Sequence, residues 1–364
     1  MGIFSAFLAL CFLVFFHELG HFCAARLFGV RVEVFSIGFG RKLLCKRIGN
    51  TEYALSLIPL GGYVKLKGQD DLNPTSHEIA KDSYNTRHPL VKITILSAGV
   101  VFNILLAFLL YIAIGVSGVN ILQPVVGSVQ EQSPSQKAGI LPDDRIIKID
   151  STFITSWEQL SQIIAQAKPS DSSFTPTYTP HTLHIQRGDE LKSLTITPES
   201  SNYQNIFGDT IQRPMIGIVA KGEVGVEHLG LVASIKFAIQ EVVRASLLIF
   251  ESLKRLILGL IPLGELSGVI GIVDVMAEVA PSGFYAFAMV MALISVNLAV
   301  INLLPIPALD GGQIVFVCYE ALMKKRMSDK ALYALTMFGW TVLLGLLALG
   351  VYNDVLRIVT RTMQ

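Results

Sequence analysis

The chain has 364 residues, 52% of them hydrophobic and 16% charged, with a formal net charge of +1 and a mean hydropathy of +0.55. Soluble domains carry about 25% charged residues, so an ordinary soluble protein is excluded in favour of an integral membrane protein with a soluble insert. The near-neutral balance argues neither way on nucleic acid, and the lack of a basic tail argues against it.

The first apolar stretch, about residues 3–27, is long enough to cross a bilayer at about 20 residues per crossing. It has no basic leading region and no clean small-residue cleavage site, so it reads as a retained span rather than a signal peptide. Within it, His17, Glu18 and His21 form H-E-x-x-H. A charge at the centre of a membrane helix costs roughly 2.5–3.5 kcal/mol on insertion scales, so three ionisable side chains there need a reason. Positions i and i+4 of a helix share a face, which lets both imidazoles reach one metal ion. Glu18 lies beside the first of them, placed to take a proton from a water on that ion and pass it to a leaving amine. Histidines satisfied by packing alone are the weaker reading, because a membrane span makes idle polar groups costly. A metal offsets that cost for the imidazoles and the carboxylate together.

Alternation in "VRVEVFSIGFG" and "TEYALSLIPLGGYVKLKG" predicts strands between about 31 and 68, with enough apolar residues for partial membrane burial. A second span covers about 93–118. The stretch 119–223 is polar and turn-rich, a soluble domain of about 100 residues with short strands and one helix. In it "HTLHIQRGDELKSLTITPES" reads as a hairpin turning at Gly188-Asp189, and "KPSDSSFTPTYTP" as a flexible loop. The four cysteines, Cys11, Cys23, Cys45 and Cys318, all lie outside the polar region and match no C-x-x-C spacing, so they read as packing residues. Residues 230–262 repeat charges (Lys236, Glu241, Arg244, Glu251, Lys254, Arg255) through an apolar background. They predict a long amphipathic helix, packed on the domain or lying in the membrane interface, and not a crossing.

A third span covers about 284–304 and a fourth about 332–352. A catalytic zinc usually has three protein ligands, and the two histidines leave one to find. Asp310 follows the third span in "NLLPIPALDGG", where Pro305 and Pro307 unwind the helix and Gly311-Gly312 permit a tight turn. Unwound backbone at membrane depth belongs where it lines a cavity. Asp310 has a second reading as the cap of the helix that starts near Gly312, and both roles can hold. Asn302 reads either as a donor to a substrate carbonyl or as a helix–helix hydrogen bond; for Asn297 the latter is favoured. Four domains follow: 1–118, 119–223, 224–283 and 284–364. Lys and Arg cluster after the first span and, as Lys324, Lys325, Arg326 and Lys330, after the third. The positive-inside rule makes both loops cytoplasmic and puts the soluble domain and both termini outside.

These stretches resemble the site-2 protease family of intramembrane zinc metalloproteases, most closely its bacterial regulator-of-sigma-E branch. "FFHELGHFCAARLFGVRVEVFSIGFG", "IPLGGYVKLKG", the PDZ-like "VVGSVQEQSPSQKAGILPDDRIIKID" and "NLLPIPALDGG" stand in the family's order between residues 15 and 312. H-E-x-x-H alone is moderately specific; with N-x-x-P-x-P-x-L-D-G in another span it is highly specific. The resemblance implies His17, His21 and Asp310 as Zn2+ ligands, Glu18 as general base and Asn302 as a substrate contact. It implies that Gly61, Gly62 and Tyr63 belong to a membrane-associated hairpin that pairs with an unwound substrate strand, which is also physically sensible because a helical peptide bond is inaccessible. It implies an inner-membrane location, single-span substrates such as anti-sigma factors or remnant signal peptides, contact with membrane lipid, and one PDZ-like domain with a peptide ligand. The chain departs from the family at Val100, Val269 and Asp143, where proline, proline and glycine are usual, and has room for one PDZ domain rather than two.

The fold expected is therefore a polytopic α-helical membrane protein with four transmembrane helices, membrane-associated β-hairpins and one inserted α+β PDZ-like domain. Two other functions compete with the protease. A metal or proton transporter would favour inverted repeats, and none is visible. A non-catalytic PDZ scaffold has no use for Glu18. The PDZ-like domain is expected to exclude substrates with bulky outer parts rather than to recruit trimmed ones, since no G-L-G-F-like carboxylate loop is evident.

Overall fold

The computed structural model describes residues 2–69, 80–169, 178–325 and 327–362. Most of the Ser/Thr/Pro loop expected at 168–180 lies outside these residues, as does Arg326 of the basic loop.

In chain order the elements are α1 (Gly2–Leu27), β1 (Val32–Ile48), β2 (Thr51–Leu66) and α2 (Pro89–Ser117). Then come β3 (Val119–Leu122), β4 (Val126–Val129), α3 (Pro134–Ala138), β5 (Arg145–Ile149), β6 (Thr152–Phe153) and α4 (Trp157–Ala165). Six strands follow: β7 (His181–Arg187), β8 (Glu190–Ile196), β9 (Glu199–Gln204), β10 (Thr210–Met215), β11 (Ile218–Ala220) and β12 (Val224–Glu227). The chain closes with α5 (Leu231–Ile257), α6 (Val269–Val279), α7 (Phe284–Asn302), α8 (Asp310–Met323) and α9 (Asp329–Thr362). Contacts divide it into two compact units, Met1–Ser117 with Leu229–Gln364, and Gly118–His228.

The first unit is built on apolar helices. Among the described residues, four are long and apolar enough to cross a membrane: α1, α2, α7 and residues Asp329–Arg361 of α9. The third ends at Asn302, short of the expected 304, because Pro305 disfavours helical backbone at the residue before it. The fourth is longer at both ends than the expected 332–352. The amphipathic stretch forms α5, which packs on α2 and α7 through small residues. Ala238 and Ala245 are buried there, Ser234 fills the space over Gly115, and the Phe237 ring meets Tyr111 edge-on at 6.2 Å.

The long strands β1 and β2 bend, so that each contributes two segments to one sheet. Residues 32–37 pair on one side with 62–66 and on the other with 51–55, which in turn pair with 44–48. Gly38 and Gly40 make the bend possible, with φ of 90° and 84°. Segment 62–66 is consequently an outer edge of this sheet. Residues 40–50 are exposed throughout.

Helix α9 is fastened to the start of α6 by polar groups. Asp354, only 2% exposed, accepts the backbone N–H of Gly268 at 3.0 Å and of Gly271 at 2.8 Å. Asn353 donates to the carbonyls of Leu263 and Leu266, and Arg357 to Ser267 and the carbonyl of Gly264. Gly268 is a necessity here, since a side chain on it meets the backbone of Gly350 and Val351 at 2.7 Å.

The second unit is α+β around its own core. A sheet of order β6-β5-β7-β8 buries Ile146, Ile149, Leu183, Ile185 and Ile196 against Val126, Ile140 and, from α4, Leu160 and Ile164. Each such side chain contributes about 1.5–3 kcal/mol on full burial. β7 and β8 join through Gly188-Asp189, with Gly188 at φ 60°. Two further pairings, β4 with β11 and β3 with β12, bring the ends of the unit together. Asp143 stands in the left-handed region at φ 71°, a conformation aspartate tolerates better than most residues, and pairs with Lys221 at 2.7 Å. Its neighbour Asp144 is fully buried. Burial alone pushes that carboxyl upward, but two hydrogen bonds from Arg187 and one from the Leu141 N–H outweigh it and hold it below the usual range. A groove runs between α4 and residues 213–218, lined by Trp157, Leu160 and Ile164 on the helix side.

Candidate metal centre

His17 and His21 lie on the buried face of α1, each 9% exposed. Their Nε2 atoms are 3.1 Å apart. Asp310 Oδ2 lies 3.2 Å from His17 Nε2 and 3.4 Å from His21 Nε2. Among the described residues this is the group of histidine, cysteine and carboxylate side chains able to share one ion.

The three donor atoms fit a tetrahedral metal on two counts. Bonds of about 2.0–2.1 Å at tetrahedral angles hold neighbouring donors roughly 3.3 Å apart, close to the three distances here. Asp310 Oδ2 is also buried with no hydrogen-bond partner, the condition of an oxygen that a cation satisfies. Two imidazoles and one carboxylate are the donor set of a catalytic zinc with an open fourth position. Asp310 brings its carboxylate there because α7 stops at Asn302 and residues 303–309 fold back without helix. That fold needs Gly311 and Gly312, where any Cβ collides with the carbonyls of Leu303 and Ile306 respectively. The residue that caps α8 is Leu309, in extended conformation, with Asp310 the first helical residue. The capping expectation for Asp310 is thereby corrected: its carboxylate is turned to the histidines.

Glu18 is half-buried on α1 beside this group. A Cβ on Gly62 stands 3.0 Å from its Cγ, so the edge segment 62–66 passes directly by the carboxylate. Gly61 is forced by the Phe39 ring, into which a Cβ would drive, and Tyr63 stacks on Phe39 with centroids 6.3 Å apart. Asn302 ends α7 and is half-buried.

Two residues to which the sequence reading gave no role stand against the histidines. Gly99 of α2 faces both rings, and a Cβ there collides with His21 Nε2 and lies 2.6 Å from His17 Cε1. On α1, Gly20 allows the same approach, its Cβ position being blocked by the Ala98 backbone. Asn103, fully buried one turn beyond Gly99, has its side-chain nitrogen 3.2 Å from His17 Nδ1. His21 Nδ1 donates to the carbonyl of Ile95 at 2.9 Å. A carbonyl only accepts, so the His21 proton is on Nδ1 and its Nε2 presents a lone pair to the shared position. The signal for Asn103 was a lone amide in an apolar span, and for Gly99 a small residue one turn away from it.

Comparison with known proteins identifies the family of this chain. The model of peptidase family M50 matches residues 5–346. A protein of Campylobacter jejuni described as a "putative zinc metalloprotease" is 40% identical over 353 residues, covering 97% of this chain and 92% of its own. Proteins with the same description from Helicobacter pylori strain J99 (37% identical, 97% of this chain and 99% of its own) and Clostridium perfringens (33%, 98% and 99%) match over similar lengths. The chain belongs to peptidase family M50, the site-2 protease family, and is a metalloprotease.

The contact at Gly99 makes a direct prediction. Gly99→Val should lower the metal content of the purified protein by at least about tenfold, with helicity retained. Metal analysis beside circular dichroism checks it; full metal occupancy in the variant would remove Gly99 from the centre.

Proposed function

We propose that this member of peptidase family M50 is an intramembrane zinc endopeptidase of the regulator-of-sigma-E type, which hydrolyses peptide bonds within the membrane segments of single-span proteins. The observation that carries this is the meeting of Asp310, at the start of α8, with His17 and His21 within 3.4 Å, the two histidines lying in a helix apolar enough to cross a membrane. His17, His21 and Asp310 hold the zinc. When bound, zinc supplies a Lewis acid that lowers the pKa of a coordinated water to about 7. Glu18 takes the proton of the attacking water on its carboxylate and delivers it to the nitrogen of the leaving amine. The unwound substrate strand pairs with the edge segment that carries Gly62 and Tyr63, which supports an extended peptide beside Glu18 by main-chain hydrogen bonds. Asn302 donates to the substrate backbone. The substrate class is that of anti-sigma factors and remnant signal peptides.

Glu18→Gln is expected to keep about one zinc per chain and to lose at least about 10²-fold in cleavage of a single-span substrate. His17→Ala, His21→Ala and Asp310→Ala are expected to lose zinc as well. A Glu18→Gln protein that still cleaves at the native rate removes Glu18 from the mechanism.

The orientation proposed has the basic loops in the cytoplasm and residues 118–228 outside, in a bacterial inner membrane. His17 lies 14 residues beyond Ile3 (17 − 3), about 21 Å at 1.5 Å per residue, which puts the zinc nearer the cytoplasmic face of a roughly 30 Å core. Asp310 reaches the same depth only if α1 and α7 run in the same direction. The chain then crosses an even number of times between residues 119 and 283, and zero crossings are proposed. Single cysteines placed at 225 and 282 should react with an impermeant thiol reagent from the same side; opposite sides would sink this topology.

The unit 118–228 is proposed as a PDZ-like filter on the outer part of the substrate. Removing residues 122–222 should leave zinc binding intact and let untrimmed substrates be cut. Slower cutting of trimmed substrates would indicate recruitment instead, and an unchanged ratio of long to short substrates would defeat the filter.

A further inference from the structure

Helix α2 meets the paired imidazoles along a single stripe. Ile95, Gly99 and Asn103 follow at intervals of four residues and share one face. At one end the Ile95 carbonyl accepts from His21 Nδ1. In the middle Gly99 leaves the space that the rings fill. At the other end Asn103 sets its side-chain amide against His17 Nδ1, while its Oδ1 is buried without a hydrogen-bond partner. The backbone of Asn103 is itself fixed, since Ser295 Oγ of α7 donates to its carbonyl at 2.8 Å.

We infer that Asn103 is a positioning residue whose side-chain oxygen holds the proton of His17 on Nδ1 and so turns the lone pair of Nε2 toward the metal. The inference rests on the reading of His17, His21 and Asp310 as ligands. A neutral imidazole carries one N–H, so Nε2 offers a lone pair only when Nδ1 is protonated, and a buried N–H needs an acceptor. With the amide nitrogen toward the ring, Nδ1 must accept, and the proton moves to Nε2. There it points among His21 Nε2 and Asp310 Oδ2, into the position the ion would take. A half-turn of the amide exchanges nitrogen and oxygen in nearly the same space. It gives the unpartnered Oδ1 a partner and makes His17 match His21, each ring donating its Nδ1–H to an oxygen of α2. An amide does this without charge, whereas a carboxylate at this depth would add a third negative group beside Glu18 and Asp310.

The test is zinc affinity, measured on full-length protein in detergent by competition with a chelator. Asn103→Leu, similar in size and without an acceptor, should weaken zinc binding about 10–100-fold. Asn103→Asp, which keeps an acceptor oxygen, should lose less than about tenfold. After removal of zinc by chelator, both should melt close to the stripped wild type, which separates a metal effect from a folding effect. If Asn103→Leu does not yield folded protein, Asn103→Ala takes its place with the same readout. Equal affinities for the apolar and acidic variants, or a larger loss for Asp than for Leu, overturn the role of Asn103. A wild type that holds no zinc overturns the ligand reading and this inference together; a wild type that holds zinc with Asn103→Leu unaffected overturns this inference alone.

Discussion

Two helix backbones touch at Gly20 of α1 and at Ala98-Gly99 of α2, and the donor cluster occupies the room that this contact leaves. In lipid there is no hydrophobic drive to pull helices together, so association depends on close packing and on polar groups finding each other. Both act at this crossing. Glycine lets the backbones approach, the approach brings a main-chain carbonyl within reach of His21 Nδ1, and that bond orients the ring. Moving α2 outward by the width of a methyl group would break the bond and strand a polar ring in an apolar surround. The site is thus a property of the helix pair and not of the H-E-x-x-H segment alone.

The other participants arrive by departures from regular structure. Asp310 reaches the histidines because two prolines end α7 and two glycines let the chain double back at once into α8. On a continuous helix it would lie about 12 Å beyond Asn302 at 1.5 Å per residue. Gly339 of α9 then closes over the turn, with room for only a hydrogen, since a Cβ would stand 2.8 Å from the nitrogen of Ala308. The sheet does something similar, for its outer segment lies against Glu18 only because Gly62 has no side chain. At each of these places a missing side chain or missing helix turn gives a charged group its position.

The apolar helices were legible in the sequence because about 20 residues dominated by apolar side chains have few other uses. The meeting of His17, His21 and Asp310 was foreshadowed by helical spacing at one end and proline-broken periodicity at the other. Element boundaries were less so: α7 stops two residues early and α9 runs longer, since helix ends are settled by local backbone preference and tertiary contact. The bent four-segment sheet was seen only as alternating strands, because pairing between distant segments leaves no local mark. The role of Gly99 was not legible for a related reason. A glycine in an apolar span signals close approach, but not to what, and only the crossing identifies the histidines as its neighbours.

The fastening of α9 to α6 makes one flank of the bundle hard to part. Asp354 receives two main-chain N–H groups, Asn353 serves two carbonyls, and Arg357 reaches a third. Parting these elements would leave each group bare, at several kcal/mol apiece wherever lipid rather than water takes the vacated place. Helix α6 in turn packs on α1 near its start, where the buried Met276 meets Ala6, Ala9 and Leu13. That flank of the bundle is therefore costly to open in lipid, because polar bonds as well as apolar packing resist its parting.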